Sequence, residues 1–156
     1  MCPTDRALSV IINLTFQHDE STVGISSVGG VEALVNVMET FPKCDELQWC
    51  GCLVLGNLAL CNLGKKKAVK SCGLKGLLAA VNNHLSSATV SQKACSALCN
   101  IVRGSKENTG LLITLGGGAA VAKVRRKWPD NNDIQKRVRL LANCFASEWK
   151  ACADEE

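Results

Sequence analysis

Four asparagines recur in the same apolar setting along this chain, and each carries a side-chain amide that could take part in binding. They are Asn13 in SVIINLTF, Asn57 in LVLGNLAL, Asn100 in SALCNIVR and Asn143 in RLLANCFA, at intervals of 44, 43 and 43 residues. A primary amide both donates and accepts hydrogen bonds, so it can pair with a peptide unit whatever side chain that unit carries. Four polar residues in one phase of an apolar pattern are costly unless they are used. The alternative is that they are inherited consensus residues bonded locally within the array.

The cysteines and histidines are the other residues whose types could do chemistry. The chain has ten cysteines but no C-x-x-C pair, and His18 and His84 lie far apart. Cys95 and Cys99 share a helix face at i, i+4 but lack a third and a fourth ligand, so we expect no metal site. Most of the cysteines lie inside apolar helical patterns, which favours buried, reduced thiols over a disulfide framework. Because reduced thiols persist in a reducing compartment, we expect the protein in the cytoplasm or the nucleus.

Catalysis is disfavoured by the same residues. The segment LGGGAAV is rich in glycine and precedes a helix, but no strand leads into it and the dinucleotide-binding spacing is absent. Neither histidine falls in a setting that would activate a cysteine nucleophile. The sequence therefore predicts a protein that is not an enzyme and that needs no cofactor.

The charges are distributed unevenly along the chain. Residues 1–61 hold two basic and seven acidic residues, whereas residues 62–156 hold sixteen basic and seven acidic residues. This gradient favours a basic binding region in the C-terminal half. No apolar run reaches the length of about 18 residues that a membrane span needs, and the N-terminal segment has no signal-peptide pattern.

The columns around the asparagines have the spacing of a helix. The positions five before, two before and one after each asparagine are apolar, and positions three apart form one helical stripe. These residues are Leu8, Ile11 and Leu14, then Cys52, Leu55 and Leu58, then Cys95, Leu98 and Ile101, then Val138, Leu141 and Cys144. Cys52, Cys95 and Cys144 share these columns with leucine, isoleucine and valine, so packing accounts for them.

Each unit divides into three helices. A short first helix (STVGISSV, KKKAVKS, NTGLLITL) ends at a glycine able to adopt a left-handed turn: Gly29-Gly30, Gly73 or Gly116-Gly117-Gly118. A second helix follows, and the third, longest helix carries the asparagine. Asp45, Thr89 and Asp133 are expected as caps or first-turn residues of the third helices. A fixed period of this size is typical of stacked helical repeats.

Three helices in about 42 residues, a glycine before the second and LxNLA in the third resemble the armadillo-repeat family, most clearly in GGVEALVNVM and CGCLVLGNLAL. The resemblance implies an all-α fold, a right-handed α-solenoid, in one domain over residues 1–156. It divides the chain into a lone third helix (about residues 4–17) and full repeats at 18–61, 62–104 and 105–147. Because the first helix begins inside a repeat, we expect either a fragment of a longer array or an unusual N-terminal cap. Its apolar stripe also predicts self-association.

In the family it resembles, the third helices line a concave groove in which asparagines bind the backbone of an extended peptide. Helix spacing adds further groove residues on the same face. These are Trp49, Cys50, Leu53 and Leu60, then Gln92, Lys93, Ser96 and Arg103, then Gln135, Lys136, Arg139 and Ala146. The groove would run from apolar to basic, so we expect an acidic, partly apolar linear partner.

The residues four positions before each asparagine differ from those of the nuclear-import adaptors in the family that this chain resembles. The nuclear-import adaptors of this family place tryptophan four before the asparagine, where this chain has Ser9, Leu53, Ser96 and Arg139. A basic localisation signal is therefore a poor ligand. Nucleic acid, or a phosphorylated partner, is the alternative because seven cations lie in the terminal repeat. They are Lys123, Arg125, Arg126, Lys127, Lys136, Arg137 and Arg139.

Overall fold

The computed structural model describes residues 5–16, 19–60 and 72–146, and this part of the chain is all-α, as predicted. Its helices follow one another with short connections, and no strand occurs among these residues. In chain order they are α1 (Asp5–Thr15), α2 (Asp19–Ser27), α3 (Gly30–Thr40), α4 (Asp45–Leu58), α5 (Cys72–Asn83), α6 (Ala88–Val102), α7 (Lys106–Thr114), α8 (Gly117–Lys127) and α9 (Asn132–Cys144). The expected first helix KKKAVKS lies outside the described residues.

The helices form two layers. In one layer the third helices pack in chain order, α1 on α4, α4 on α6 and α6 on α9. In the other layer the second helices pack in the same order, α3 on α5 and α5 on α8. The first helices α2 and α7 each contact the third helix before them and the second helix after them. Each described second and third helix therefore packs against its counterpart in the adjacent unit.

Glycine sets the junction between first and second helices. Gly29 and Gly116 have left-handed backbones, with φ of 76° and 83°. The next glycines, Gly30 and Gly117, allow close approach, because a Cβ on either would lie 2.5 Å from an atom of Ile25 or Leu112. Gly73 differs from expectation: it lies in the first turn of α5 without a positive φ, in the column of Gly30 and Gly117.

The third helices begin with polar first turns and caps. Asp45 and Asp133 lie in the first turns of α4 and α9, as predicted. The side chains that accept hydrogen bonds from the helix amides are instead Ser87 at α6 and Asn131 at α9. Asparagine and serine at this position pair one of the amide groups that a helix start leaves without a partner.

A glutamine joins the second and third helices in two of the units. The Gln48 amide donates to the carbonyls of Met38 at 2.8 Å and Phe41 at 3.2 Å. The Gln135 amide donates at the same two offsets, to Arg125 at 3.0 Å and Trp128 at 2.8 Å. In the middle unit Ser91 holds this position, and its buried hydroxyl has no hydrogen-bond partner within the described residues.

Ring nitrogens join consecutive units at the ends of the second helices. Trp128 Nε1 donates to the carbonyl of Leu85 at 3.1 Å. His84 Nε2 contacts the carbonyl of Pro42 at 2.6 Å in the corresponding place. Because a carbonyl only accepts, this nitrogen of His84 carries a proton. The other ring nitrogen, Nδ1, contacts the carboxylate of Asp45.

The register of α9 corrects two expectations. The N-cap residues Cys44, Ser87 and Asn131 lie 43 and 44 residues apart, so the last third helix starts one residue later than the asparagine spacing indicates. The buried stripe of α9 is therefore Ile134, Val138, Leu141 and Phe145. Cys144, expected in the core, is exposed, because Phe145 takes the buried column.

Four of the cysteines are buried thiols, as predicted. They are Cys50, Cys52, Cys95 and Cys99. Burial raises the pKa of the Cys95 thiol to about 12 and that of Cys99 to about 11. Cys44 is disulfide-bonded, which corrects the expectation of thiols alone.

Among the described residues, one bent pair of helices has the length and apolar composition of a membrane span. No single helix of the described residues combines the length and the apolar composition of a membrane span. The pair Glu20–Ser27 and Gly30–Thr40, bent by 70°, meets both criteria only when the two helices are taken together.

Candidate peptide-binding surface on the third helices

Exposed and half-buried side chains follow one face of the stacked third helices. We align α4, α6 and α9 from their N-caps, Cys44, Ser87 and Asn131. The residues 5, 9 and 13 positions after the N-cap are accessible in each helix, except that Asn57 is buried. We call this surface the third-helix strip. Its residues are Trp49 and Leu53 on α4, Gln92, Ser96 and Asn100 on α6, and Lys136, Leu140 and Cys144 on α9.

Cations lie on and beside the strip along the last two third helices, and the acidic residues Glu46 and Asp133 lie one turn before Trp49 and Lys136. Lys93 is half-buried on α6, and Arg103, which directly follows α6, is exposed. Lys136 is exposed on α9, and its neighbour Arg137 is half-buried. No strip position holds an acidic residue. The α4 end of the strip is apolar, since Trp49 and Leu53 lie there, so the strip changes from apolar to basic along the chain.

The four asparagines differ in burial. Asn57 is only 7% exposed, and its Nδ2 donates to the hydroxyl of Thr15 on α1 at 3.4 Å. Asn100 is half-buried, and its Nδ2 donates to the carbonyl of Gly56 on α4 at 3.2 Å. Asn13 and Asn143 are exposed. The two inner amides thus join one third helix to the preceding one.

Some of the predicted groove residues lie away from the strip. Gln135 donates to the second helix of its own unit, as described above. Arg139 takes the column of Cys52 and Cys95, which are 0% exposed because the next third helix covers them, whereas Arg139 is exposed. Asn143 takes the column of Gly56 and Cys99, next to Arg139.

Conversely, the structure adds residues that the asparagine spacing missed. Leu140 takes the strip column of Leu53 and Ser96 and is 43% exposed. Cys144 takes the column of Asn57 and Asn100. The signal that could have located them is the N-cap Asn131, because its side chain fixes where α9 begins.

His84 and Asp45 are the residue types of an acid–base dyad, but the imidazole of His84 has no ring nitrogen left to contact a substrate. Both ring nitrogens of His84 are engaged, Nδ1 with Asp45 and Nε2 with Pro42. The cleft of 560 Å³ beside the ring includes Lys43 and Asn83 in its lining. Among the described residues, no group of three or more His, Cys, Asp or Glu side chains could hold a metal ion.

Comparison with known proteins adds no family to this description. No protein-family model, no curated protein and no solved structure matches the chain.

Proposed function

We propose that this chain is an armadillo-type right-handed α-solenoid that acts as a non-catalytic protein-interaction module. Its third-helix strip binds an extended peptide segment that carries both apolar and acidic residues. The observation that carries the proposal is the continuous accessible strip along α4, α6 and α9, apolar at Trp49 and basic at Lys136. The order of the two helix layers and the hydrogen bonds that recur between units support the solenoid.

The chemistry of the strip favours an acidic partner. Lys93 and Lys136 lie on adjacent third helices, and the strip itself holds no acidic residue, although Asp133 lies one turn before Lys136. Carboxylates or phosphates on an extended partner would pair with these cations, and charge complementarity would speed association and reject basic segments. Trp49 and Leu53 offer a side-chain anchor, since aromatic residues supply much of the binding energy in protein interfaces.

The two inner asparagines, Asn57 and Asn100, have different roles in peptide binding. The Asn57 side chain is buried and engaged with Thr15, so it organises the helices behind the strip. Asn100 is half-buried at the centre of the strip, where its amide can contact a bound backbone in addition to holding Gly56. Contact with the partner therefore rests on Asn100 together with the apolar and cationic side chains beside it.

A labelled peptide panel tests this function. Extended peptides that are acidic, phosphorylated, neutral or basic would be titrated by fluorescence anisotropy at two salt concentrations. We expect acidic and phosphorylated peptides with an apolar anchor to bind selectively, and Lys93→Glu/Lys136→Glu to weaken this binding at least tenfold. The control Lys75→Glu/Lys127→Glu makes the same charge change on exposed second-helix residues. Equal weakening by both pairs would contradict a strip-specific site.

Nucleic acid is the second candidate, favoured by the exposed cations on both layers of the last unit. Lys123, Arg126 and Lys127 extend along α8, and Lys136 and Arg139 lie on α9. Phosphate binding by such a surface would be steeply salt-dependent and indifferent to sequence. Tight binding of duplex or single-stranded oligonucleotides, with no selectivity among acidic peptides, would favour this function over peptide binding.

A further inference from the structure

The N-terminal end of the helix stack exposes residues whose counterparts are buried in every later unit. On α1, Val10 is 55% exposed and Leu14 is 44% exposed. Their columns hold Val54 and Leu58 on α4, which are 1% and 0% exposed, and these columns stay buried on α6 and α9. Ile12 and Thr15 lie on the opposite side of α1, where Thr15 is held by Asn57. Val10 and Leu14 therefore face away from the stack.

The second-helix layer exposes the same side at this end. Val37 on α3 is 40% exposed, whereas its counterparts Ala80 and Val124 are 1% and 0% exposed. Ala33 is exposed, and its counterpart Gly76 packs against Val35 of the preceding second helix. In the later units a preceding second helix thus covers this side. We call Val10, Leu14, Ala33 and Val37 the leading face.

The leading face has the chemistry to accept a helix. Within the stack, its counterparts contact second helices that present side chains such as Val35 and Met38, spaced three apart. An incoming helix with apolar residues at i, i+3, i+4 and i+7 would reproduce that interface. The surface is therefore continuous with the packing already used between units.

Two observations argue against a second copy as the occupant. The opposite end of the stack carries Arg125 in the column of Met38, and Arg139 in the column of Cys52. Head-to-tail stacking would bury these cations against apolar residues, and removing a charge from water without a partner is strongly unfavourable. Residues 19–60 carry six acidic residues and one basic residue, so two leading faces would repel each other.

We propose that the leading face binds an amphipathic helix with a basic polar face, contributed by a partner protein. Its apolar stripe lies on Val10, Leu14 and Val37, in the place that a preceding second helix would hold. The lysines or arginines of the partner lie near the acidic first unit, where Glu20, Glu32 and Glu39 are exposed. This site is independent of the third-helix strip, so either can fail without the other.

The test uses two synthetic helical peptides with leucine at i, i+3, i+4 and i+7, one with lysine and one with glutamate elsewhere. We expect the leucine–lysine peptide to bind, to gain helical circular dichroism on binding, and to bind at least tenfold more tightly than the leucine–glutamate peptide. Val10→Asp/Leu14→Asp should reduce its affinity at least tenfold. Leu60→Asp/Leu140→Asp, which makes the same charge change at exposed residues just after α4 and in the third-helix strip, should leave the affinity for this peptide unchanged.

Val37→Asp on α3 is a second variant, which keeps the test decisive if α1 unfolds when substituted. Equal binding of both peptides, or affinity unchanged in the leading-face variants, would overturn the proposal. A dimer in sedimentation equilibrium that Val37→Asp converts to monomer would also overturn it, because the occupant would then be a second copy.

Discussion

The side-chain amide of Asn100 donates to the backbone carbonyl of Gly56, 3.2 Å away on the preceding third helix. Gly56 has no side chain in the way, and a Cβ there would lie 3.3 Å from the Cβ of Ala97. The two helices therefore approach closely where the amide crosses between them. Asn100, which interrupts the apolar pattern of α6, therefore has a structural use. This supports local bonding within the array for this asparagine.

Replacing Asn100 should reduce stability more than replacing Asn143. Asn100→Ala removes the bond to Gly56 and leaves a half-buried carbonyl with one partner fewer, at a cost of about 1 kcal/mol in the free energy of unfolding. Asn143 is exposed, so Asn143→Ala should change it by less than about 0.5 kcal/mol. Urea denaturation measures both. Equal destabilisation by the two substitutions would contradict the assigned register of α9.

Gly117 and Gly118 should respond oppositely to alanine. A Cβ on Gly117 would lie 2.5 Å from Leu112 Cγ and 2.8 Å from its carbonyl oxygen, whereas a Cβ on Gly118 meets nothing within 4 Å. Gly117→Ala should therefore destabilise by about 1–3 kcal/mol through overpacking. Gly118→Ala should be neutral or stabilise by up to about 1 kcal/mol through helix propensity. Thermal unfolding distinguishes them, and a stabilising Gly117→Ala would count against this junction.

Gln48 and Ser91 occupy one column but should differ in their mutational effect. Gln48→Ala removes the donor shared by the Met38 and Phe41 carbonyls, which should cost about 1–3 kcal/mol. Ser91→Ala removes a buried hydroxyl that has no partner among the described residues, so it should be neutral or stabilise by about 1 kcal/mol. Chemical denaturation of both variants is the measurement. A clearly destabilising Ser91→Ala would show that the hydroxyl is bonded.

The buried thiols should make the fold sensitive to alkali. Burial raises the pKa of Cys95 from 9.0 to about 12 and that of Cys99 to about 11, so the unfolded chain ionises first as the pH rises. Their contribution is fully present below pH 9 and is lost toward the folded pKa values, by about 1.4 kcal/mol per pH unit for each thiol. Cys95→Ala should flatten the fall in stability above pH 9, and the neighbouring Ser96→Ala, which removes no thiol, should leave the fall unchanged. An equal slope in both variants would contradict this assignment.

The sequence predicts the helices well because their signals are local. The left-handed glycines, Gly29 and Gly116, and the apolar columns follow directly from residue types and spacing. The register of α9 could not be read from the asparagines, because Asn143 happens to preserve their interval while the helix starts one residue later. Locating Arg139 at the end of the stack, and Asn57 behind the strip, required knowing which neighbouring helix covers each column. That information is tertiary and has no signal within one helix.

If the third-helix strip selects an extended partner by its charge, reversing the charge of the strip should reverse that preference. Lys93→Glu/Lys136→Glu would be titrated with an acidic peptide carrying an apolar anchor and with its lysine-substituted counterpart. We expect the variant to bind the acidic peptide at least tenfold more weakly and the lysine peptide at least tenfold more tightly, whereas Lys75→Glu/Lys127→Glu should keep the wild-type preference. An unchanged preference in the strip variant, or the same reversal in the control, would contradict the claim.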